Sequence, residues 1–129
     1  MKASSVTKIN NLLNMGRPKS QHEDRSHIPD VECVTPDHIA CVRVARLHAT
    51  GVETVSFDCK DLSGVFSMCK GFPATRFNRK YLIEMLTNMD CDNVLIGYEY
   101  EHPLFIGGMI EEDITVEGAI APIIGGDEQ

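Results

Sequence analysis

Cysteine and histidine are the residue types in this chain that can act as metal ligands or as a nucleophile with its base. The five cysteines are an odd number and no two are spaced as C-x-x-C, so we expect reduced thiols without a structural zinc site. Cys33 with His38 is the candidate nucleophile–base pair, but the sequence supplies no third residue to orient it. We therefore expect no metal or cofactor, and small buried side chains at Cys33, Cys41 and Cys59.

Motifs of the common enzyme classes are missing from the chain. It contains no G-x-S-x-G, no P-loop, no H-E-x-x-H and no G-x-G-x-x-G. Three consecutive carboxylates at 111–113 lie between two strand-like segments, where a solvated turn is the expected structure. The sequence therefore predicts a non-enzymatic protein, with a thiol- or zinc-dependent enzyme that uses Cys33 and His38 as an alternative.

Charge is distributed unevenly along the chain. The formal net charge is −7, yet all 12 Lys and Arg residues lie at or before Lys80, and residues 81–129 carry none. This pattern argues against a uniformly basic nucleic-acid binder but allows a local basic face. No segment approaches the roughly 20 apolar residues that cross a bilayer, and the first residues lack the apolar region of a secretory signal. We expect a cytoplasmic protein without a membrane partner.

The first half of the chain predicts one helix followed by strands. Apolar residues recur at helical spacing within Ser4–Met15, with Ser4 or Ser5 as the cap and Gly16 as the stop. Residues 16–30 are polar, contain two prolines and are expected to form a long, mobile loop. Runs rich in β-formers predict strands at Val31–Val34, Ile39–Leu47, Val52–Cys59 and Phe72–Phe77.

The second half predicts a helix and an antiparallel meander. An apolar stripe marks the helix Asn78–Met89, whose first turn carries Arg79 and Lys80. Cations at that end oppose the helix dipole, which indicates that an interaction other than helix stability requires basic residues at these two positions. Three apolar runs separated by short polar turns predict the strands Val94–Tyr100, Leu104–Ile110 and Ile114–Ile124, followed by a flexible acidic tail at 125–129.

The order of these elements predicts a single α+β domain. Its two halves, residues 1–64 and 65–124, have a similar order of helix and strands, so we expect two copies of one supersecondary unit. Two amphipathic helices need an apolar surface to cover, and the strands supply one as an antiparallel sheet.

Two segments of the chain resemble a known family. VTPDHIACV at Val34–Val42 resembles the (A/M)DPAHVAMV-type segment of archaeal and eukaryotic DNA sliding clamps (proliferating cell nuclear antigen), and the following VETVSFDCKDLSGVFSM resembles the next stretch of those clamps. Phe77–Ile124 resembles the end of a clamp chain, with a YL-containing helix, a strand pair with Pro-Leu and a closing Ala-Pro-x-Ile. Thr35 stands where the family usually has Asp.

The resemblance implies the processivity fold, a DNA-clamp domain of two β-α-β-β-β units, and a processivity or tethering factor of DNA replication. It also implies two binding surfaces. Peptides of DNA polymerases and other replication proteins would bind at Val34, His38, Ile39, Cys41, Pro103, Ala121, Pro122 and Ile124. DNA phosphates would be contacted, without readout of base sequence, by Lys8, Arg76, Arg79 and Lys80.

The length of the chain separates two versions of this function. Clamp chains carry two or three such domains and close a ring of six, whereas 129 residues supply one domain. A ring would therefore require a homo-oligomer of six copies with head-to-tail interfaces. The alternative is a single-domain adaptor or competitor that binds replication-protein peptides without encircling DNA.

Overall fold

The computed structural model describes residues 2–25, 31–46 and 60–125, which form an α+β fold as the sequence predicts. This part of the chain has no helix that is long and apolar enough to cross a membrane. Its α-helices are α1 (Ala3–Leu13), α2 (Leu62–Cys69) and α3 (Arg79–Met89), and a short 3₁₀ helix spans Lys19–Gln21. Its strands are β1 (Val31–Val34), β2 (Ala40–Arg46), β3 (Arg76–Phe77), β4 (Leu95–Gly97), β5 (Leu104–Glu111), β6 (Ile114–Ile120) and β7 (Pro122–Ile123).

Five of the strands form one antiparallel sheet in the order β1-β2-β6-β5-β4. The consecutive strands β4, β5 and β6 make the expected meander. β2 pairs with β6 along its whole length, from Ala40 opposite Ile120 to Arg46 opposite Ile114, so the two halves of the chain share one sheet. The short strands β3 and β7 pair separately.

The core lies between this sheet and the two helices α1 and α3. Ile9 and Leu12 of α1 and Met85 of α3 are fully buried, as the apolar stripes of both helices predict. Side chains along a strand alternate between the two faces of a sheet, so every second residue points toward the helices. The buried residues on this face of the sheet include Ala40, Val42, Val44, Ile106, Val116 and Ile120.

The start of α1 differs from its prediction, because neither Ser4 nor Ser5 caps it. The cap position is Lys2, and no side chain accepts a hydrogen bond there. The Lys2 backbone N–H instead donates to Oε1 of Glu111 at 2.6 Å, which ties α1 to the end of β5. This contact, followed by that of Ser5, holds the pKa of Glu111 below its usual range.

Helix α2 was not predicted as a helix. Asp61 caps it by accepting a hydrogen bond from the Gly64 N–H at 2.9 Å. Gly64 in the first turn lowers the helix propensity of this segment, and none of the residues of α2 is buried. The strand predicted at Val52–Cys59 lies outside the described residues.

Three predicted strands are shorter in the structure than in the sequence analysis. Only Arg76–Phe77 of Phe72–Phe77 and Leu95–Gly97 of Val94–Tyr100 pair with neighbours. Ile114–Ile124 is interrupted at Ala121, because β6 pairs within the large sheet whereas β7 pairs with β3. The closing segment of the chain therefore passes from one sheet to the other at Ala121.

Candidate functional site

Most of the residues predicted to bind peptides come from two distant parts of the chain and meet at one end of the large sheet. Pro122 and Ile124 lie beyond this point, where the chain has passed into the second sheet. Val34 ends β1 and pairs with Cys41 near the start of β2. The Ala121 N–H donates to the Ile39 carbonyl oxygen at 2.7 Å, which joins the segment after β6 to the segment before β2. Pro103 directly precedes Leu104, which pairs with the last residue of β6. We term this region the sheet-end site.

Most side chains of the sheet-end site are accessible to a ligand. Val34 is 49% exposed and Ile124 is 61% exposed, although both are aliphatic. Cys41 is also exposed, so its predicted burial is wrong. Ala40 and Val42 take the inward positions of β2, and strand alternation turns Cys41 to the face opposite the helices. The remaining members are exposed (His38 and Pro103) or partly buried (Ile39, Ala121 and Pro122).

The turn between β1 and β2 is held by a network around Thr35, which is buried. Thr35 Oγ1 accepts from the Ala40 N–H at 3.1 Å and donates to the Asp37 carboxylate at 2.7 Å. The Thr35 carbonyl accepts from the His38 N–H at 2.9 Å. His38 adopts a left-handed conformation with φ of 60°, at which the turn reverses. The predicted binding residue His38 thus projects from a turn of fixed shape.

Tyr81 connects this turn to helix α3. Its hydroxyl donates to Oδ2 of Asp37 at 2.5 Å, although the two residues are far apart in sequence. This hydrogen bond, followed by that from Thr35, lowers the pKa of Asp37. Burial, followed by the bond to Asp37, raises the pKa of Tyr81. The donor therefore stays neutral and the acceptor stays ionised across the physiological pH range.

The four residues predicted to bind DNA do not form one cluster. Lys8 on α1 forms an ion pair of 2.8 Å with Asp90 at the C-terminal end of α3. Arg79 and Lys80 are exposed in the first turn of α3, about 15 Å away by the rise of ten helical residues. Arg76 lies on β3 and donates to the Gly125 carbonyl. The basic residues of the helical face are thus split between its two ends.

A groove between α1 and α3 was not found by sequence reasoning. Its volume is about 500 Å³, and we term it the α1–α3 groove. Four of its lining residues, Gly16, Arg17, Pro18 and His22, fall in the segment predicted only as a loop, and no spacing in the sequence links them to a residue of α3. Its charged and amide-bearing lining residues are Asn11, Asn14, Arg17, His22, Lys80, Glu84 and Asn88.

Asn10 of α1 and Asn14, which directly follows α1, fix the segment that forms one wall of this groove. Asn14 is buried and exchanges two hydrogen bonds with the backbone of Glu23, at 2.6 and 3.1 Å. Asn10 accepts from the Arg25 N–H at 2.7 Å. The described part of the predicted loop therefore runs back along α1, while its mobility stays a prediction and residues 26–30 lie outside the described residues.

The environment of Cys33 is that of a structural cysteine. It is buried, as predicted, and its thiol donates weakly to the Leu12 carbonyl at 3.9 Å. Burial raises its pKa, whereas a reactive cysteine requires a lowered pKa and access to solvent. Within residues 2–25, 31–46 and 60–125, no group of three or more His, Cys, Asp or Glu side chains is arranged to hold a metal ion.

Comparison with protein-family models, with curated proteins and with solved structures found no match to this chain. Its side-chain geometry, together with the resemblance of its short motifs to sliding clamps, is therefore the basis for a functional proposal.

Proposed function

We propose that this chain is a non-enzymatic, clamp-like tethering protein of DNA replication that binds short hydrophobic peptides at the sheet-end site. The hydrogen bond between the Ala121 N–H and the Ile39 carbonyl carries the proposal. It joins the two segments that resemble the peptide-binding segments of sliding clamps, although about 80 residues of chain separate them. If the likeness of the two short motifs were due to chance, there would be no reason for the two segments to lie side by side in the fold.

The chemistry of the sheet-end site supports a peptide ligand. Val34 offers an exposed aliphatic side chain where the large sheet ends, and Ile124 offers another directly after β7. Peptides that bind such sites combine a few apolar anchors with main-chain hydrogen bonds. The fixed turn that carries His38 keeps one wall in place before the ligand arrives, which reduces the entropy cost of binding.

A second candidate, a single-domain adaptor that does not encircle DNA, is favoured by the ion pair of Lys8. The cation that α1 would present to DNA is bound to Asp90 at 2.8 Å, so the attraction of this part of the helical face for phosphate is reduced. Light scattering after size exclusion separates the two candidates. A six-copy mass supports a ring, and the mass of one or two copies supports the adaptor.

Substitution at Ile124 tests the proposed peptide site. Ile124 is 61% exposed, so Ile124→Ala removes an apolar anchor without opening a cavity in the core. We expect the variant to bind a fluorescent clamp-motif peptide about tenfold more weakly by anisotropy, as for an interface anchor.

Leu95→Ala is the matched control, because Leu95 is an aliphatic residue that is 69% exposed on the edge strand β4, away from the sheet end. We expect it to retain the affinity of the parent protein. Equal affinities of the Ile124→Ala variant and the parent protein would refute the assignment of the site.

A further inference from the structure

The α1–α3 groove is lined by two cations, Arg17 and Lys80, that form no ion pair with an acidic side chain of residues 2–25, 31–46 or 60–125. Arg17 follows the end of α1, and Lys80 lies in the first turn of α3 across the groove. Neither forms an ion pair within the described residues, in contrast to Lys8, which pairs with Asp90, and Arg43, which pairs with Glu32 and Glu117. The Lys80 ammonium lies 5.9 Å from the centroid of the Tyr81 ring, a contact that does not neutralise its charge. The groove is thus a place on the helical face where positive charge is available to an anionic ligand.

The wall that carries Arg17 is held in place by hydrogen bonds at both of its ends. His22 Nε2 donates to the Arg17 carbonyl at 3.1 Å and closes this short segment on itself. The two hydrogen bonds between Asn14 and Glu23 fix its far end against α1. A preformed site of this kind loses little conformational entropy when it binds a ligand.

The part of the groove farther along α3 from Lys80 is lined by a carboxylate and an amide. Glu84 lies one helical turn after Lys80 on α3, and Asn88 one turn further, with its amide donating to the Glu84 carbonyl. A carboxylate there repels an anion, so an anionic group is confined to the end that Arg17 and Lys80 share. The placement of Lys80 in the first turn of α3, where a cation opposes the helix dipole, agrees with a demand for a bound anion at this point.

We propose that the α1–α3 groove binds a phosphate group between Arg17 and Lys80. Guanidinium and ammonium groups are the usual protein partners of phosphate, through charge-assisted hydrogen bonds. The phosphate has two sources, the backbone of DNA or a small phosphate compound. The first source rests on the proposed function, since a clamp-like protein would turn its helices toward DNA, whereas the second does not.

Titration followed by ¹⁵N–¹H NMR tests the groove with two probes, inorganic phosphate and a short DNA duplex, at constant ionic strength held by chloride. We expect saturable shifts of the amide signals of Arg17, His22 and Lys80. Arg17→Gln and Lys80→Gln should each weaken the binding about tenfold, the effect of removing one charge-assisted hydrogen bond. Glu84→Gln should tighten binding, because it removes the repelling carboxylate.

Lys19→Gln is the matched control, because Lys19 is an exposed cation near the groove that does not line it. It makes the same change in net charge and should leave the affinity unchanged. Shifts with DNA alone identify the nucleic-acid backbone as the source, and shifts with both probes or with phosphate alone identify a site for small phosphates. The absence of shifts with both probes, or equal weakening by Lys19→Gln and Arg17→Gln, would overturn the proposal.

The peptide-binding assay keeps this result separate from the proposed function. The groove residues lie between the helices, and the sheet-end site is formed by strand ends and turns, so Arg17→Gln should bind the clamp-motif peptide as the parent protein does. Loss of phosphate binding with intact peptide binding rejects the groove alone. Loss of the Ile124 effect with intact phosphate binding rejects the sheet-end site alone.

Discussion

At the scale of single residues, one hydrogen-bond network determines the shape of the proposed peptide site. Thr35 and Tyr81 are both buried, and both donate to the exposed carboxylate of Asp37. Thr35 occupies the position at which the clamps that this sequence resembles usually carry Asp. Its hydroxyl donates to the Asp37 carboxylate and accepts from the Ala40 N–H. The Thr35 hydroxyl therefore fixes the turn by joining Asp37 to the first residue of β2.

The pH dependence of stability tests this network. The folded-state pKa of Asp37 is lowered from its ordinary value of 3.8, so its contribution to stability is complete above that pH and is lost as the pH falls through the folded value. The pKa of Tyr81 is raised from 10.0, so its contribution is lost as the pH rises above that value. We expect Asp37→Asn to be less stable than the parent at pH 7 in urea unfolding.

The same measurement at pH 2 to 3 should show a smaller difference between Asp37→Asn and the parent protein. Glu112→Gln is the control, because Glu112 lies exposed in the turn between β5 and β6. A difference between Asp37→Asn and the parent that is the same at pH 7 and at pH 2 to 3 would contradict an ionised Asp37 as the hydrogen-bond acceptor.

At the scale of elements, α1 and α3 form the fold's helical layer and α2 contributes little to it. Ile9 of α1 is fully buried, whereas Phe66 of α2 is 69% exposed. The free energy lost on truncation of a side chain depends on the cavity it leaves, so these two apolar residues should differ strongly in their effect.

We expect Ile9→Ala to lower the free energy of unfolding by about 2–5 kcal/mol and Phe66→Ala to change it by about 0.5 kcal/mol or less. Urea unfolding followed by far-ultraviolet circular dichroism measures both variants against the parent protein. Similar losses from the two substitutions would show that α2 packs as tightly as α1, against the burial described above.

Periodicity in the sequence predicted the elements that bury one clear stripe, and it failed where another interaction decides the structure. Helix α3 and the β5–β6 hairpin follow their apolar patterns closely. The break at Ala121 depends on pairing of β7 with the distant strand β3, which no local pattern reports. Arg17 and Lys80 line the same groove although no local pattern links them, and asparagine side chains hold the segment that follows Arg17 against α1.

The sheet-end site was predicted only through the resemblance of two short motifs. The pairing of Val34 with Cys41 follows from a hairpin and is local. The contact of Ile39 with Ala121 requires β2 and β6 to be neighbours, and hydrophobic patterns do not specify the order of strands in a sheet. The α1–α3 groove had no comparable signal in the sequence.

At the scale of the whole molecule, the uneven charge of the chain corresponds to a difference in charge between the outer face of the large sheet and the helical layer. Arg43 lies on the sheet face opposite the helices, flanked by Glu32 at 3.1 Å and Glu117 at 3.4 Å, so its charge is neutralised there. Arg17 and Lys80 lie at the helical layer without an acidic partner within the described residues. The net charge of −7 is thus compatible with a small basic region on the helices.

Chemical-shift mapping of a bound clamp-motif peptide tests the central claim most directly. The ¹⁵N–¹H spectrum of the labelled protein contains separate signals for the amides of Ile39 and Ala121, which share a hydrogen bond across the sheet-end site. The account predicts that both signals shift together and saturate as the peptide is added, while those of Leu62 and Phe66 on α2 stay in place. Shifts confined to α2, or no saturable shift at Ile39 and Ala121, would contradict it.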